Sequence, residues 1–267
     1  MTAERAGGSP LLRRTVTALV AVPLFLAALY WDGWWWSGLL LLAALLAAGE
    51  WIGLTRRAGF VPAAPVILPG TVLVYGAAVY RQDLLPGVVA LVSLGALAAQ
   101  LWGPARPHAI ANAGVTLLGP LYVSLFAALD LLRRLSDGLP WTFLVVVAVW
   151  VADSAAYFAG RSFGRRLLTP ISPKKTWEGV WSGVLGGIVG AVSVAAILRL
   201  PLGLAAGIGA LAGSLGLIGD LSESALKRAA GVKDTGGLLP GHGGLLDRFD
   251  ALLFVAPAAY AVLRGLR

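Results

Sequence analysis

The sequence of 267 residues contains no cysteine and only 13% charged residues. Without cysteine, the chain cannot build a disulfide framework, a thiolate metal site or a cysteine nucleophile. A soluble domain usually has about 25% charged residues, so this chain cannot cover a folded surface with polar groups. The sequence also lacks a Walker loop of the form GxxxxGK[ST], which excludes a P-loop nucleotidase. These absences argue against an ordinary water-soluble enzyme.

Hydrophobic residues, by contrast, make up 58% of the chain and occur in nine long stretches. A helix needs about 20 mainly apolar residues to cross a hydrocarbon core of about 30 Å. Segments rich in glycine, proline and charge separate the stretches, as expected at helix ends. The sequence therefore predicts an all-α polytopic integral membrane protein with about nine transmembrane helices. The stretches are 15–31, 37–53, 64–80, 84–103, 112–132, 141–159, 178–198, 202–221 and 250–264.

Lysine and arginine are distributed unevenly between the two sides of this arrangement. With the N-terminus inside, 15 of the 21 basic residues lie on the inner side, which predicts an N-inside/C-outside topology. The two longest polar loops, 160–177 and 222–249, then lie on the cytoplasmic side. Because flanking residues explain the net charge of +8, we expect no nucleic-acid partner.

The chain divides by composition into two halves. Residues 1–110 are predicted to form N-terminal membrane helices, a scaffold that contacts lipid or a second copy. Residues 111–267 are predicted to form C-terminal membrane helices that carry the cytoplasmic-side catalytic loops. Small residues favour close helix packing and permit a homodimer. The clearest small-residue run comprises Gly183, Gly186, Gly187 and Gly190.

Acidic residues are concentrated in the second half. A carboxylate in hydrocarbon costs about 2.5–3.5 kcal/mol on insertion scales, so it persists where it faces a wet cavity, a cation or a basic partner. A helix end in the headgroup region or a buried ion pair explains a single aspartate equally well. A cluster mixed with basic residues on one side favours a functional site. Its members are Asp153, Glu178, Asp220, Glu223, Asp234, Asp247 and Asp250.

Two groups of these residues recur at helical spacing. Asp247 and Asp250 stand three residues apart at the start of the last span, so both carboxylates can reach a common cation. Mg²⁺ takes one or two protein carboxylates together with substrate phosphates. Glu50 has no other acidic or basic residue at helical spacing within its span, which favours a helix-end or packing role. The other group, on one face of span eight, comprises Asp220, Glu223, Ser224 and Lys227.

The loop between these two groups combines glycine with basic residues. Glycine lets backbone amides approach phosphate oxygens, and lysine and arginine neutralise phosphate charge. Together with the carboxylate pair, the loop has what a magnesium–triphosphate complex requires. For His242 a structural hydrogen bond and an acid/base role remain equally open. The basic residues are Lys227, Arg228, Lys233, His242 and Arg248.

The loop at 160–177 is the second basic segment. Its hydroxyl groups and the helix that begins near Trp177 predict an anion site made of hydroxyls, amides and the helix dipole. Positive-inside flanking explains the arginines of this loop, which are Arg161, Arg165 and Arg166. It explains the following SPKKTWEG stretch less well, because a carboxylate stands where the span begins. The polar residues of that stretch are Ser172, Lys174, Lys175, Thr176 and Glu178.

Three segments of the second half form one long signature with fixed spacing: SALKR at 224–228, KDTG at 233–236 and LPGHGGLLDRFD at 239–250. This signature resembles that of the phosphatidate cytidylyltransferases, also called CDP-diacylglycerol synthases. The stretch ISPKKTWEG at 171–179 and the segment from Asp153 to Arg161 also resemble that family. The first half resembles it only as a set of hydrophobic spans.

The resemblance implies transfer of CMP from CTP to phosphatidic acid, giving CDP-diacylglycerol and pyrophosphate in phospholipid biosynthesis. It implies an integral protein of the bacterial cytoplasmic (inner) membrane whose active site faces the cytoplasm. The implied cofactor is Mg²⁺, as one or two divalent ions, with room for a monovalent cation. The implied partners are CTP, phosphatidic acid and membrane lipid.

The resemblance leads to a hypothesis for each site residue. The metal ligands are Asp220, Asp247 and Asp250. The cations that offset charge on the leaving pyrophosphate are Lys227, Arg228 and Lys233. Lys174 and Lys175 attract one of the phosphate-bearing substrates, and Asp234 and His242 orient neighbouring groups. The other substrate-binding candidates are Asp153, Ser172, Thr176, Glu178, Ser224 and Arg248.

Three alternatives remain open from the sequence alone. A cation- or proton-coupled transporter would also place acidic residues and broken helices in the membrane. Against it, the acidic groups gather toward one side and no inverted repeat is visible. An enzyme of the same class acting on an isoprenoid-chain analogue of phosphatidate is the second alternative. A structural membrane protein, the third, leaves the basic glycine loop unexplained.

Overall fold

The computed structural model describes residues 10–102, 108–237 and 243–266, with side chains from residue 19 onward. Within these ranges the chain forms ten α-helices and two short 3-10 helices, and the only β-type pairing is an isolated bridge between Leu167 and Thr176. The helices are α1 (Pro10–Trp31), α2 (Trp34–Arg57), α3 (Ala64–Tyr80), α4 (Leu85–Ala98), α5 (Ala109–Val123), α6 (Ala127–Arg133), α7 (Gly138–Phe163), α8 (Trp177–Leu198), α9 (Leu202–Ala229) and α10 (Leu246–Gly265).

Each of the nine predicted stretches coincides with a helical segment, which confirms the all-α class. In the fifth segment a 3-10 turn, Ser124–Phe126, joins α5 to α6. The segments long and apolar enough to cross a membrane are Trp34–Arg57, Ala109–Arg133, Gly138–Phe163, Trp177–Leu198 and Leu202–Ala229. Shorter apolar helices are Leu19–Trp31, Ala64–Tyr80 and Gln82–Ala98. These helices indicate an integral membrane protein.

The core of the first half is organised by two indoles of α2. Trp36 and Trp51 are almost fully buried, and a buried indole needs an acceptor for its N–H. The Trp51 N–H donates to the Val115 carbonyl at 2.9 Å, and the Trp36 N–H donates to the Leu129 carbonyl at 3.4 Å. These bonds fix α2 against α5 and α6.

A buried carboxylate joins the N-terminal end of α2 to its neighbours. Asp130 on α6 is 1% exposed and accepts hydrogen bonds from the Tyr75 hydroxyl at 2.9 Å and the Arg134 guanidinium at 2.8 Å. Arg134 also donates to the Ser37 hydroxyl at 3.0 Å. The buried charge therefore has the ion-pair and hydrogen-bond partners that such a group requires.

In the second half, α8 packs against α7 and α9 through glycine, as the small-residue run predicts. Gly187 and Gly209 bring the backbones of α8 and α9 together so closely that a Cβ on either would collide with the other's carbonyl. On the other side of α8, a Cβ at Gly190 would lie 2.9 Å from the Cβ of Val151 on α7. Close backbone approach of this kind is how membrane helices gain packing contacts.

Helices α7 to α10 bring four helix ends together. The loop at 164–176 joins the C-terminus of α7 to the N-terminus of α8, and the loop at 230–245 joins α9 to α10 in the same way. Because consecutive helices run in opposite directions, both loops lie at one end of the bundle. This placement agrees with the prediction that the two polar loops share one side.

Candidate active site

A cavity of about 850 Å³ opens at the end of the bundle where α7, α8, α9 and α10 meet. Both polar loops contribute to its walls together with the adjoining helix turns. Its size falls in the range of ligand pockets, about 300–1,000 Å³. Small residues such as Ala156, Gly183 and Gly213 line its deeper part, so the cavity extends between the helices.

Fourteen of the sixteen predicted site residues line this cavity. They come together although two long helices, α8 and α9, separate the SPKKT stretch from the signature residues that follow α9. They are Asp153, Ser172, Lys174, Lys175, Thr176, Asp220, Ser224, Lys227, Arg228, Lys233, Asp234, Asp247, Arg248 and Asp250. His242 lies outside the described residues. The structure thus brings the predicted set together, and the individual roles remain predictions.

Glu178 is the predicted substrate-binding residue that does not line the main cavity among the described residues. Its carboxylate accepts hydrogen bonds from the backbone N–H groups of Arg165 at 3.1 Å and Arg166 at 3.3 Å. Glu178 therefore fastens the loop after α7 to the first turn of α8. That contact explains the carboxylate at the start of the span without a substrate.

Thr176 is the N-cap of α8. Its hydroxyl accepts the N–H of Gly179 at 3.2 Å, as cap residues do. The preceding segment folds back on itself, because the Leu168 N–H donates to the Lys175 carbonyl at 2.8 Å. These bonds hold Lys175 at the cavity, where its ammonium group pairs with Asp220 of α9. The sequence places these two residues in separate motifs, and the fold joins them.

Lys227 lies between two carboxylates. Its ammonium nitrogen is 2.9 Å from Oε1 of Glu223 and 2.6 Å from Oδ1 of Asp247. The other oxygen of Asp247 accepts the Thr235 N–H at 2.9 Å, the Thr235 hydroxyl at 3.0 Å and the Gly244 N–H at 2.8 Å. Both oxygens of Asp247 are thus engaged, and the residue organises the signature loop.

Three other aspartates reach the cavity from three helices: Asp153 from α7, Asp220 from α9 and Asp250 from α10. Asp220 also accepts the Ser224 hydroxyl at 3.3 Å. Their oxygens are the donor type that Mg²⁺ takes. Over the described part of the chain, no three His, Cys, Asp or Glu side chains converge as a ready metal site. The donor set therefore fits a cation held by one or two carboxylates and completed by substrate phosphates.

The described lining of the cavity carries more positive than negative charge, with seven basic and five acidic side chains. An excess of positive charge in a cleft with low-dielectric walls raises the local concentration of anions. The arrangement is therefore suited to phosphate-bearing substrates. It does not favour the passage of cations that a cation-coupled transporter requires.

Arg161 and Tyr157 line the cavity although the sequence interpretation explained Arg161 as a flanking residue. The Arg161 guanidinium donates to the Tyr157 hydroxyl at 3.0 Å. Asp153, Tyr157 and Arg161 follow one another at intervals of four along α7, so they share one face of the helix. That spacing is the signal by which the sequence identifies both additional residues.

Glu50, for which the sequence favours a helix-end or packing role, contacts the signature loop from α2. Its Oε1 accepts the Leu245 N–H at 2.8 Å, and its Oε2 accepts the Leu246 N–H at 2.9 Å and the Thr235 hydroxyl at 3.1 Å. Glu50 therefore has a helix-end role, but it acts at the N-terminus of α10 and not at the end of its own helix, α2. No local sequence signal connects positions so far apart.

Comparison with known proteins adds independent information. The model of the Cytidylyltransferase family matches residues 12–266. A phosphatidate cytidylyltransferase of Synechocystis sp. is 33% identical over 278 residues, covering 93% of this chain and 94% of its own. One of Pseudomonas aeruginosa is 40% identical over 273 residues, covering 95% and 97%. One of Bacillus subtilis is 43% identical over 155 residues, covering 56% and 58%.

Proposed function

The chain belongs to the cytidylyltransferase family, and we propose that it transfers CMP from CTP to phosphatidic acid, giving CDP-diacylglycerol and pyrophosphate in phospholipid biosynthesis. The observation that carries this proposal is the cavity between apolar helices, lined by twelve residues of the signature and the SPKKT stretch together with Asp153 and Asp220. The cationic loops suit the phosphates of a nucleoside triphosphate, and the apolar helices beside them suit the acyl chains of a lipid substrate. Two relatives that match almost the whole chain carry the corresponding name.

The reaction requires little covalent chemistry from the protein. An oxygen of the phosphatidate phosphomonoester forms a bond to the α-phosphorus of CTP. The bond from that phosphorus to the bridging oxygen breaks, and its electron pair leaves with pyrophosphate. The phosphomonoester is already anionic near neutral pH, with a second pKa of about 6, so no strong general base is needed. Catalysis then rests on positioning and charge neutralisation.

The basic residues at the cavity supply that neutralisation. In this proposal Arg228 and Lys233 bind the leaving pyrophosphate, and Lys174 binds one of the phosphate groups; all three line the cavity. Lys227 reaches the same cavity, but its ammonium group is already paired with two carboxylates. It can therefore bind phosphate only through the N–H donor that these pairs leave. Arg161 is the additional candidate contributed by the structure.

Magnesium is part of the proposal. Bound Mg²⁺ neutralises charge on the phosphates and orients the two substrates. Asp220 and Asp250 would hold it in this proposal, and both line the cavity together with Asp153. Asp247, predicted as a third ligand, is the least available because its oxygens already have four contacts, from Lys227, Thr235 and Gly244, whereas those of Asp220 have two. A second ion, divalent or monovalent, remains part of the same proposal.

We place the cavity at the cytoplasmic side of a bacterial inner membrane, with nine spans and the N-terminus inside. The two polar segments at the cavity, 160–177 and 222–249, together contain nine of the 21 lysines and arginines, in accord with the positive-inside rule. Because the natural chain has no cysteine, single cysteines report topology cleanly. A membrane-impermeant maleimide should label Ser136→Cys in intact spheroplasts but label Ser162→Cys only after lysis. The reverse pattern would contradict the orientation.

A homodimer also remains a proposal. The glycine faces that permit one in the sequence are packed inside the chain, since Gly187 and Gly190 contact α9 and α7. A dimer would therefore use another surface, and the mass of the purified protein in detergent would test it.

The activity itself can be tested with membranes that contain the protein. Labelled CTP, Mg²⁺ and phosphatidic acid should give a lipid-linked CMP product and pyrophosphate in equal amounts. Omission of phosphatidic acid should abolish both products. If an isoprenoid-chain phosphatidate analogue were used at a higher kcat/KM than phosphatidic acid, the assignment of the lipid would be wrong. If neither lipid gave product, the proposed reaction would be wrong.

A further inference from the structure

Glu50 lies on α2 in the N-terminal half, 195 residues before Leu245. Its carboxylate nevertheless accepts three hydrogen bonds from the segment that carries the signature. Two of the donors are backbone N–H groups at the start of α10, which have no acceptor within their own helix. A carboxylate at a helix N-terminus is also favoured by the helix dipole. Glu50 therefore caps α10 from another helix.

Two glycines of the signature make room for this carboxylate. A Cβ at Gly236 would lie 2.7 Å from Oε1 of Glu50, and a Cβ at Gly244 would lie 2.7 Å from Oε2. Any larger residue at either position would displace the carboxylate or the loop. Part of the glycine content, which the sequence analysis assigns to phosphate approach, is thus required for contact with α2.

A continuous set of contacts connects Glu50 with the cavity. The Thr235 hydroxyl lies within hydrogen-bond distance of Glu50 at 3.1 Å and of Asp247 at 3.0 Å. Asp247 in turn pairs with Lys227, and both line the cavity. Glu50 itself does not line it. Glu50 can therefore affect the cavity only through Thr235 and the signature loop.

We propose that Glu50 is a positioning residue that holds the signature loop in its substrate-binding conformation, so that the N-terminal half helps to form the active site. Without this carboxylate, the first N–H groups of α10 lose their acceptor, and the Thr235 hydroxyl is left with Asp247 alone. The loop then samples more conformations, and substrate binding must order it again. That cost falls on nucleotide binding more than on the chemical step.

The test compares Glu50→Ala with Glu50→Gln, and it rests on the proposed function for its kinetic part. Glu50→Ala should raise the KM for CTP about tenfold while kcat changes by less than about threefold, as expected for lost ordering of a binding loop. Glu50→Gln keeps one carbonyl acceptor but turns an amide donor toward the other N–H or hydroxyl. It should restore part of the affinity.

A second measurement does not depend on activity. Hydrogen exchange of the purified, ligand-free protein should be faster at Thr235 and Gly244–Leu246 in Glu50→Ala than in the natural chain. If the natural protein failed to use CTP, the proposed function would fail, but the exchange comparison would still decide whether Glu50 orders the loop. Thr235→Val should shift both measurements in the same direction by a smaller amount, and it covers the case in which Glu50→Ala does not fold.

Asp130→Asn is the matched control. Asp130 is another carboxylate that joins helices through hydrogen bonds, but its partners, Tyr75 and Arg134, lie outside the signature loop. Its substitution should lower the melting temperature and leave the KM for CTP and the loop exchange unchanged. An unchanged KM and unchanged exchange in Glu50→Ala would overturn the proposal. An equal rise of KM in Asp130→Asn would overturn it as well, because general destabilisation would then explain the effect.

Discussion

The ammonium nitrogen of Lys227 lies 2.6 Å from Oδ1 of Asp247, which joins the end of α9 to the start of α10. The Lys227 and Asp247 side chains are only 13% and 5% exposed. Glu223, the other partner of Lys227, is 1% exposed. Ion pairs so little exposed are sensitive to the loss of one partner, since the remaining charge stays buried.

Lys227→Ala should therefore reduce both stability and activity. Removal of one partner of a buried pair costs about 3–5 kcal/mol, so we expect a clear fall of the melting temperature in detergent and a loss of turnover. Arg165→Ala is the control, because the structure uses the Arg165 backbone N–H and not its side chain to bind Glu178. Equal effects of the two substitutions would refute the distinction between a site lysine and a topological arginine.

Asp250→Asn tests the proposed metal ligand. The substitution keeps the size of the side chain and removes its charge, so insertion and purification should be normal. Turnover should fall by more than about a hundredfold, because an amide is a much weaker ligand for Mg²⁺ than a carboxylate. The measurement is the rate of CDP-diacylglycerol formation over a range of Mg²⁺ concentrations. Full activity at saturating Mg²⁺ would remove Asp250 from the metal role.

Metal removal should abolish the reaction reversibly. The described cavity lining offers carboxylate oxygens and no cysteine or histidine, a donor set typical of sites for Mg²⁺ or Mn²⁺ and not for Zn²⁺. Treatment with EDTA followed by dialysis should therefore eliminate turnover, and Mg²⁺ or Mn²⁺ should restore it. Full activity in the presence of EDTA, with total metal verified as absent, would mean that the lysines and arginines suffice.

Two glycines of α9 give opposite predictions for the same substitution. In Gly209→Ala the new Cβ would collide with the Gly187 carbonyl of α8 and lie 2.6 Å from the Ile188 Cα, and overpacking of this kind costs about 1–3 kcal/mol. In Gly207→Ala the Cβ meets nothing within 4 Å, and the helix should gain roughly 0.5–1 kcal/mol. Thermal unfolding in detergent should therefore shift downward for the first and upward for the second. Shifts of the same sign would show that α8 and α9 do not approach this closely.

Much of the fold can be predicted because each membrane helix requires a long apolar stretch that is visible in the sequence. The nine apolar stretches and the glycine run of α8 each correspond to an observed helix or helix contact. The cavity could be predicted because the signature and the SPKKT stretch lie in loops and adjoining helix turns at one end of the bundle. The i, i+4, i+8 spacing that links Asp153, Tyr157 and Arg161 was also available.

The contacts between distant elements could not be predicted in this way. Glu50 is an isolated acidic residue near the end of an apolar helix, and only the packing of α2 brings it to Thr235. The pairing of Lys175 with Asp220 joins a loop to a helix 45 positions further along the chain. Residue type allowed an ion pair for Asp220 and a helix-end or packing role for Glu50, but the choice of partner depends on tertiary structure.

The cap that α2 provides for α10 has a consequence for shortened versions of the protein. Every described residue of the cavity wall falls between positions 152 and 250, so a fragment starting at residue 111 would contain the complete described wall. That fragment would still lack the acceptor for the first amides of its last helix. Supplying residues 1–110 as a separate polypeptide would return that acceptor and reunite the wall with its support.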